Sequence, residues 1–374
     1  MRIRAAVVEQ QAAPLVVEEL ELDDPRADEV LVRMVATGVC QTDAHAWHQR
    51  IPSPLPMVLG HEGAGIVEKV GQGVEGLEPG DHVVLSFQSC GQCAQCLSGH
   101  PAYCARATEA NFSGSRLDGT SALHRAEGDR DSVHGHFFGQ SSFATYALTT
   151  SRNTVKVEKD LPLELLAPLG CGLQTGAGAV LNSFSLAEGE SIAIFGVGAV
   201  GFGALMAARA AGASTIIAVD VNAQRLSLAE ELGATHTLDA SHTDIAEAIK
   251  AITGAGITHV LDTTGRADML THAVAALAPM GQVGLVAGAR PDTVIPAAEL
   301  ALGKSVRGIV QGDAVPQHFI PQLVQMYRSG HFPIDRLVHF YDFDDINTAF
   351  TDAGSGDVIK PVLRIASIAN LEQE

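Results

Sequence analysis

The sequence predicts a two-domain α/β protein: a β-rich domain completed by the C-terminus, with a doubly wound parallel sheet inserted between its parts. Three observations carry this prediction. Residues 1–150 read as short β-branched or alternating runs broken by Gly, Pro and Asp. From Leu173 onward, apolar strands alternate with Ala/Leu-rich helical patterns. Within the second regime, "FGVGAVG" (195–201) sets three spaced glycines directly behind an apolar run. A chain of 374 residues, 46% hydrophobic and 18% charged, is long enough for two separate cores.

In chain order, the β-rich part offers "EVLVRMVATGV" (29–39), "GAGIVEKV" (63–70), "DHVVLS" (81–86) and "SFATYALT" (142–149) as strands. Between Tyr103 and Phe137 lies a polar stretch of little periodicity, expected to be a long surface loop of the kind that often serves as a lid. The parallel sheet is expected from "SIAIF" (191–195), "TIIAV" (215–219), "THTL" (235–238), "THVLD" (258–262), "QVGLV" (282–286) and "SVRGIV" (305–310). Right-handed crossovers join such strands into a doubly wound sheet. After residue 312 Pro-rich and aromatic segments resume, and "DVIKPVLRI" (357–365) reads as a closing strand. The boundaries predicted are 1–172 with 312–374 for one domain, and 173–311 for the other.

A formal net charge of −19 excludes a nucleic-acid partner, whose phosphates demand a basic footprint. The N-terminus lacks the apolar core of a secretory signal. Ile192 to Ala208 is an uncharged run of membrane-span length, but four glycines interrupt it and Arg209 ends it. It reads as a buried strand, loop and helix, so no membrane partner is expected. These features point to a cytoplasmic chain, where thiols stay reduced and a disulfide framework is not expected.

The six cysteines divide by spacing. Cys90, Cys93, Cys96 and Cys104 leave gaps of two, two and seven residues. A bacterial ferredoxin run closes with a gap of three and a proline, which is not the pattern here. Four thiolates at these spacings suit a tetrahedral structural zinc. Such a site has no open coordination position, so it is expected to hold structure and perform no chemistry.

The glycines at 196, 198 and 201 each have a physical task beside a pyrophosphate. The first makes the turn, the second admits the phosphate, and the third packs helix on strand. Asp220 follows nineteen residues after Gly201, at the end of the next strand. An acid there accepts hydrogen bonds from ribose hydroxyls and repels a 2′-phosphate, which predicts NAD rather than NADP. Arg225 is a further candidate for the ribose. The two remaining cysteines, Cys40 and Cys171, together with His61 in "LGHEGAG" (59–65), make two thiolates and one imidazole. That set leaves a fourth zinc position open to water or substrate, as a catalytic site requires.

The order and spacing of Cys40, Gly60-His61-Glu62, the four-cysteine lobe, Cys171, the glycine motif and Asp220 resemble the zinc-dependent medium-chain alcohol dehydrogenases over the whole chain. Within that family, "HFFGQSSFATYA" (136–147) and "APLGCGLQTGAGAVLN" (167–182) look most like aryl-alcohol (benzyl alcohol) dehydrogenases, with geraniol-type allylic enzymes close behind. The resemblance implies a GroES-like catalytic domain and a Rossmann domain, two zinc ions per chain, and NAD. It also implies a small-molecule alcohol or aldehyde as substrate and a homodimer, with a tetramer as the alternative.

Roles carried over from the family fall on named residues. Thr42 takes the alcohol proton, and His45 passes it to solvent. Asp43 orients the ligand imidazole, and Glu62 stands behind the metal. Trp47, Phe137 and Phe138 are expected to line an apolar slot. One departure stands out: Gln41 occupies a position that is basic in much of the family and grips the pyrophosphate, leaving Lys360 as the expected phosphate cation. The enzymatic rival is a thiol-linked formaldehyde dehydrogenase, supported by Arg106, Arg116, Arg125 and Arg130 as a carboxylate-binding patch. An enoyl or quinone reductase would lack the catalytic zinc ligands. A non-catalytic structural or binding protein would have lost ligands, and none is lost.

Overall fold

The computed structural model describes residues 1–125, 133–288, 293–295 and 297–366. It divides into two compact units, Met1–Cys171 with Val315–Gln325 and Ile334–Glu374, and Gly172–Ala314 with Met326–Pro333. Among the described residues, no helix is long and apolar enough to cross a membrane.

The first unit is built on two sheets. The larger runs Val338–Asp342, Lys360–Arg364, Glu29–Gly38, Gly63–Val70, His82–Leu85 and Thr154–Val157, with Tyr146–Thr150 also pairing with Glu29–Gly38. Glu29–Gly38 is the sheet's centre. All but one of its ten residues are buried, so "EVLVRMVATG" is apolar on both faces rather than alternating. The closing strand pairs antiparallel with it, Val362 opposite Gly38 and Leu363 opposite Thr37. Residues from the far end of the chain thereby lie beside Cys40. The smaller sheet is ordered Met57–Val58, Arg2–Val8, Val16–Leu22, Leu123–His124. Its two long strands are not among those expected: Val16–Leu22 holds three glutamates and two β-branched residues, and Arg2–Val8 opens with two arginines in three positions, so neither run carries a strong strand signal.

One expected strand is shorter than its pattern. "SFATYALT" becomes extended sheet only from Tyr146. The residues before it are drawn elsewhere: Ser142 N–H donates to Gly60 O and Phe143 N–H to Leu59 O. The polar stretch after Tyr103 is not all loop, because Ala107–Phe112 is a helical turn and Leu123–His124 joins the smaller sheet.

The second unit carries the predicted parallel sheet. Its order is His236–Asp239, Thr215–Asp220, Ser191–Phe195, Ile257–Asp262, Leu277–Leu285, Ser305–Gly308. Ser191–Phe195 has the second strand of the unit on one side and the fourth on the other. The order reverses there, and ligands of doubly wound sheets bind at that switch point. Ile192, Ala193, Ile194 and Phe195 have no exposed surface. Fully burying one such aliphatic or aromatic side chain contributes about 1.5–3 kcal/mol. Asn222 caps the helix Ala223–Leu232 by accepting from Gln224 N–H and Arg225 N–H, and Gly233 ends it at φ +119°. Ile192–Ala208 is indeed strand, turn and helix, with the helix spanning Ala199–Ala210.

His136 opens the Phe137–Gly139 turn in the left-handed region, at φ +57°. Burial and the nearby Arg116 push its imidazole down to about 4 from an ordinary 6.5. A histidine held neutral in the fold contributes stability that is complete above its unfolded value and lost as pH falls toward its folded value. Asparagine tolerates left-handed backbone and does not titrate. In urea titrations, His136→Asn should therefore flatten the rise of unfolding free energy between about pH 4 and 6.5. Comparing the two proteins at each pH cancels the acid lability of other groups. Equal slopes would show that His136 does not carry this part of the acid sensitivity.

Candidate active site

Cys40 follows the central strand and caps the short helix Gln41–Trp47. On the first turn of that helix, Asp43 has no exposed surface. Its Oδ2 accepts the Cys40 N–H at 3.0 Å, and its Oδ1 accepts the Gly60 N–H at 3.0 Å. The same Oδ1 lies 2.9 Å from His61 Nδ1. That contact assigns the Nδ1 proton to the carboxylate and leaves Nε2 as the lone-pair nitrogen. His61 Nε2 is buried without a hydrogen-bond partner.

One donor atom each from Cys40, His61, Glu62 and Cys171 lies within 4.8 Å of the others. A hydrogen bond from Cys171 pulls the Cys40 thiol well below its ordinary value; His61 and Lys360 add to this against the opposing effect of burial. Burial works against a charged His61, but Asp43 and Cys40 outweigh it and raise its pKa well above the usual value. The surroundings therefore favour positive charge at this position, which a metal cation on Nε2 would supply in place of a proton. Tetrahedral zinc with arms of about 2.0–2.3 Å places its donors roughly 3.3–3.8 Å apart, a spacing compatible with this cluster. An imidazole already oriented through Nδ1, with its other nitrogen aimed at two sulfurs, fits a zinc ion.

Glu62 and Lys360 form a buried pair behind these donors. Lys360 Nζ lies 2.9 Å from Glu62 Oε1 and 2.8 Å from Oε2, and donates to Val39 O at 3.1 Å. Burial raises the Glu62 carboxyl to about 7 against the pull of Lys360. The ammonium loses to burial but gains more from Glu62 and Cys40, which hold it above its ordinary range. A Cβ on Gly38 would stand 2.0 Å from Glu62 Oε2, so only glycine leaves the carboxylate its place. The expectation that Lys360 serves as the phosphate cation is therefore corrected. Its ammonium is buried, and its three hydrogens are spent on Glu62 and Val39. Gln41 is exposed, and Thr42 and His45 are half-buried on the same helix. Burial and, next, Arg50 lower the His45 pKa, which keeps the imidazole in its proton-accepting form.

Of the three aromatic candidates, Phe138 is the one laid flat on the site. Its ring stacks on His61 with centroids 4.4 Å apart at 26°. Phe137 meets His61 edge-on at 5.5 Å but has no exposed surface, so it backs the site instead of lining a slot. Trp47 donates its indole N–H to Ala13 O at 2.6 Å and packs edge-on to Phe350. The expectation of an equal aromatic trio is thus reduced to Phe138.

The four-cysteine lobe also gathers. Donor atoms of Cys90, Cys93, Cys96 and Cys104 lie within 4.8 Å of one another, with Cys93 Sγ 3.5 Å from Cys96 Sγ and 4.0 Å from Cys104 Sγ. Backbone N–H groups of Ala105, Cys90 and Arg106 point at these sulfurs. The Ala105 N–H is the chief cause of a Cys93 thiol lowered to about 6. The arginines invoked for a carboxylate patch are otherwise engaged. Arg106 pairs with Glu109, Arg116 with Glu29, and Arg125 with Glu9 and Glu18. Arg130 lies outside the described residues.

In the second unit, Gly196 turns at φ +86°, and a Cβ there would stand 2.5 Å from Thr263 Oγ1. A Cβ on Gly201 would meet Gly196 O at 2.1 Å, whereas one on Gly198 would enter open space. This is a backbone cradle left open on one side, as a phosphate requires. Asp220 Oδ2 accepts the Val197 N–H at 2.8 Å, and its Oδ1 accepts from Val221 at 2.8 Å and Asn222 at 3.0 Å. With about four lone-pair sites on a carboxylate, Oδ2 keeps one for a further donor. Arg225 gives its backbone N–H to Asn222 Oδ1 on the same helix start. Sequence reasoning missed Thr263, whose hydroxyl bonds Phe195 O and Gly196 O, both at 2.9 Å, and fixes the turn. A threonine just past a strand carries no signal of that task.

Known proteins resemble this chain over nearly its whole length. Residues 26–159 match the family described as the alcohol dehydrogenase GroES-like domain, and residues 199–329 match the zinc-binding dehydrogenase family. The chain is 50% identical over 365 residues to the geraniol dehydrogenase of Castellaniella defragrans, covering 96% of this chain and 97% of that protein. The structure of benzyl alcohol dehydrogenase from Acinetobacter calcoaceticus superposes with a TM-score of 0.94 at 47% identity, over 98% of this chain and all of that one. An alcohol dehydrogenase zinc-binding domain protein from Burkholderia ambifaria gives a TM-score of 0.95 at 51% identity, again over 98% of this chain and all of that one. With two ligand clusters, a glycine cradle and these relatives in agreement, the chain belongs to the zinc-binding alcohol dehydrogenases.

Proposed function

We propose that the enzyme reversibly oxidises a primary aromatic or allylic alcohol, of the benzyl alcohol or geraniol type, to its aldehyde, with NAD as hydride acceptor. The observation that carries this reading is the unpartnered His61 Nε2, aimed at two cysteine sulfurs beneath the flat ring of Phe138. Cys40, His61 and Cys171 would hold one zinc, and the four-cysteine lobe a second. Bound zinc supplies a Lewis acid that polarises the alcohol oxygen and acidifies its proton. NAD, when bound, supplies the hydride acceptor.

The chain's own groups divide the remaining work. Asp43 fixes the His61 tautomer and ring orientation. Thr42 accepts the alcohol proton, and the neutral His45 relays it to solvent. The Phe138 ring makes the surroundings of His61 apolar, which favours a conjugated substrate. Gly196, Gly198 and Gly201 admit the pyrophosphate. Asp220 receives the ribose hydroxyls, with Arg225 beside it. Six thiols without a disulfide suit the cytoplasm. For the assembly we infer a homodimer through the edge strand Ser305–Gly308, beside which Met280 and Leu302 are 73% and 70% exposed.

The substrate reading is tested by kcat/KM for benzyl alcohol, geraniol, ethanol and S-hydroxymethyl glutathione. The conjugated alcohols should exceed ethanol by about tenfold or more, since a buried apolar face discriminates by a few kcal/mol at most. Preference for the thiol adduct would sink the proposal.

The two clusters should differ in consequence. Cys93→Ser should lower the melting temperature, because metal binding in a closed site is folding free energy. Cys171→Ser should keep the fold and lower kcat/KM by at least about a hundredfold, the loss of several kcal/mol of transition-state stabilisation. Metal analysis giving one zinc per wild-type chain would contradict the two-site reading, and the variant that loses this zinc would show which cluster holds it.

Two unit charges about 4 Å apart repel by about 4 kcal/mol at an effective dielectric of about 20. Allowing for solvent screening, Asp220 should impose a preference for NAD over NADP of about a hundredfold, and Asp220→Ser should erase most of it. A wild-type enzyme that prefers NADP would show the assignment of Asp220 to be wrong.

A further inference from the structure

Gln140 is 2% exposed, and both hydrogens and the oxygen of its amide are engaged. Its Nε2 donates to His61 O at 3.1 Å and to Ser86 O at 2.9 Å, while its Oε1 accepts the Gly63 N–H at 3.1 Å. Ser86, itself without exposed surface, donates its hydroxyl to Gly170 O at 2.7 Å. Gly170 is the residue before Cys171. One buried side chain thus grips the backbone of the His61 segment directly, and through Ser86 reaches the segment that carries Cys171. Asn153 holds the turn from which Gln140 projects, through Nδ2 to Phe138 O at 3.3 Å and Gly139 O at 3.0 Å.

We propose that Gln140 is a positioning residue for the catalytic metal centre, setting the spacing between His61 and Cys171 through its bonds to His61 O and Ser86 O. The chemistry supports an amide in particular. Two carbonyls and one N–H converge on a single buried point, and only a group with two donors and an acceptor satisfies all three. Hydroxyls offer one donor, and a carboxylate offers none. The side chain touches neither a reacting atom nor the metal, so its action is on where the two ligands stand. The inference rests on the proposed zinc site at Cys40, His61 and Cys171.

The test follows zinc release from the full-length enzyme into excess chelator, with the four-cysteine lobe as internal reference. Gln140→Met keeps the length and removes every polar contact. It should release one of the two ions about tenfold or more faster than wild type, the lower end of losses seen when groups supporting a metal ligand are removed, while the second ion leaves at its wild-type rate. Cobalt placed in the faster-exchanging site should show shifted absorption bands, reporting altered ligand geometry without reference to turnover. A purely structural role would lower the melting temperature but leave the ratio of the two release rates unchanged, and that outcome overturns the proposal. Ser86→Ala removes the hydroxyl that holds Gly170 and is the milder change. It should accelerate the same ion, and adding it to Gln140→Met should give little more. If Gln140→Met fails to fold, wild-type release from Ser86→Ala overturns the proposed route. A wild-type chain with a single zinc that survives Cys171→Ser would refute the metal reading instead, a result in which Gln140→Met plays no part.

Discussion

The carboxylate of Asp43 is the fixed point of the catalytic half. It collects the Cys40 N–H, the Gly60 N–H and His61 Nδ1 in one place with no exposed surface. Cys40 follows the central strand, while His61 precedes the strand that pairs with it, so the two ligands meet only if the intervening chain returns to one register. Asp43 enforces that return with charge-assisted hydrogen bonds, each worth about 1.5–3 kcal/mol. Removing the carboxylate would leave a buried imidazole proton and two buried amides unpaired. The tautomer that presents Nε2 follows from the same contact.

Much of this architecture is legible in the sequence because its signals are local. The parallel sheet is written in apolar runs bounded by turn residues, and five of its six strands fall within about one residue of their patterns or end short of them. The exception, Leu277–Leu285, starts earlier than "QVGLV" because Leu277 pairs with Ile257 across a register shift. Cysteine spacing identifies the four-sulfur lobe outright. What escapes the sequence is what depends on distant partners. Lys360 reads as a free cation until the closing strand, pairing with Glu29–Gly38, brings it to Glu62. Phe137 and Phe138 are adjacent and chemically alike, yet one is sealed and the other stacks on His61. That difference comes from a backbone with Phe138 at φ +54°, which no local pattern announces.

The Glu62–Lys360 pair, once found, changes how the site's charge is understood. As metal ligands Cys40 and Cys171 are thiolates. Asp43 and Glu62 add two negative charges, and Lys360 returns one positive charge. A buried cluster of this kind carries a large excess of negative charge, and uncompensated buried charge is among the costliest features a fold can hold. A divalent cation held at the centre would remove most of that excess. Lys360 lowers the remainder from behind, in contact with Glu62 and electrostatically coupled to Cys40 and Cys171.

The four-cysteine lobe solves the same electrostatic problem by different means. Three of its four cysteines are partly exposed, so water screens the sulfurs, and backbone N–H groups of Cys90, Ala105 and Arg106 stabilise thiolate charge directly. Short loops supply these amides because the ligands are near one another in the chain. The proposed catalytic ligands come from three distant segments, and the local amide that reaches the Cys40 sulfur is that of Asp43. Their order has to be imported through side chains, Asp43 from one direction and Gln140 from another. Glu62 is the fourth donor of this cluster, and its bonds to Lys360 are what would keep the fourth position available to a substrate. That is the physical difference between a metal that closes a loop and one that meets a substrate.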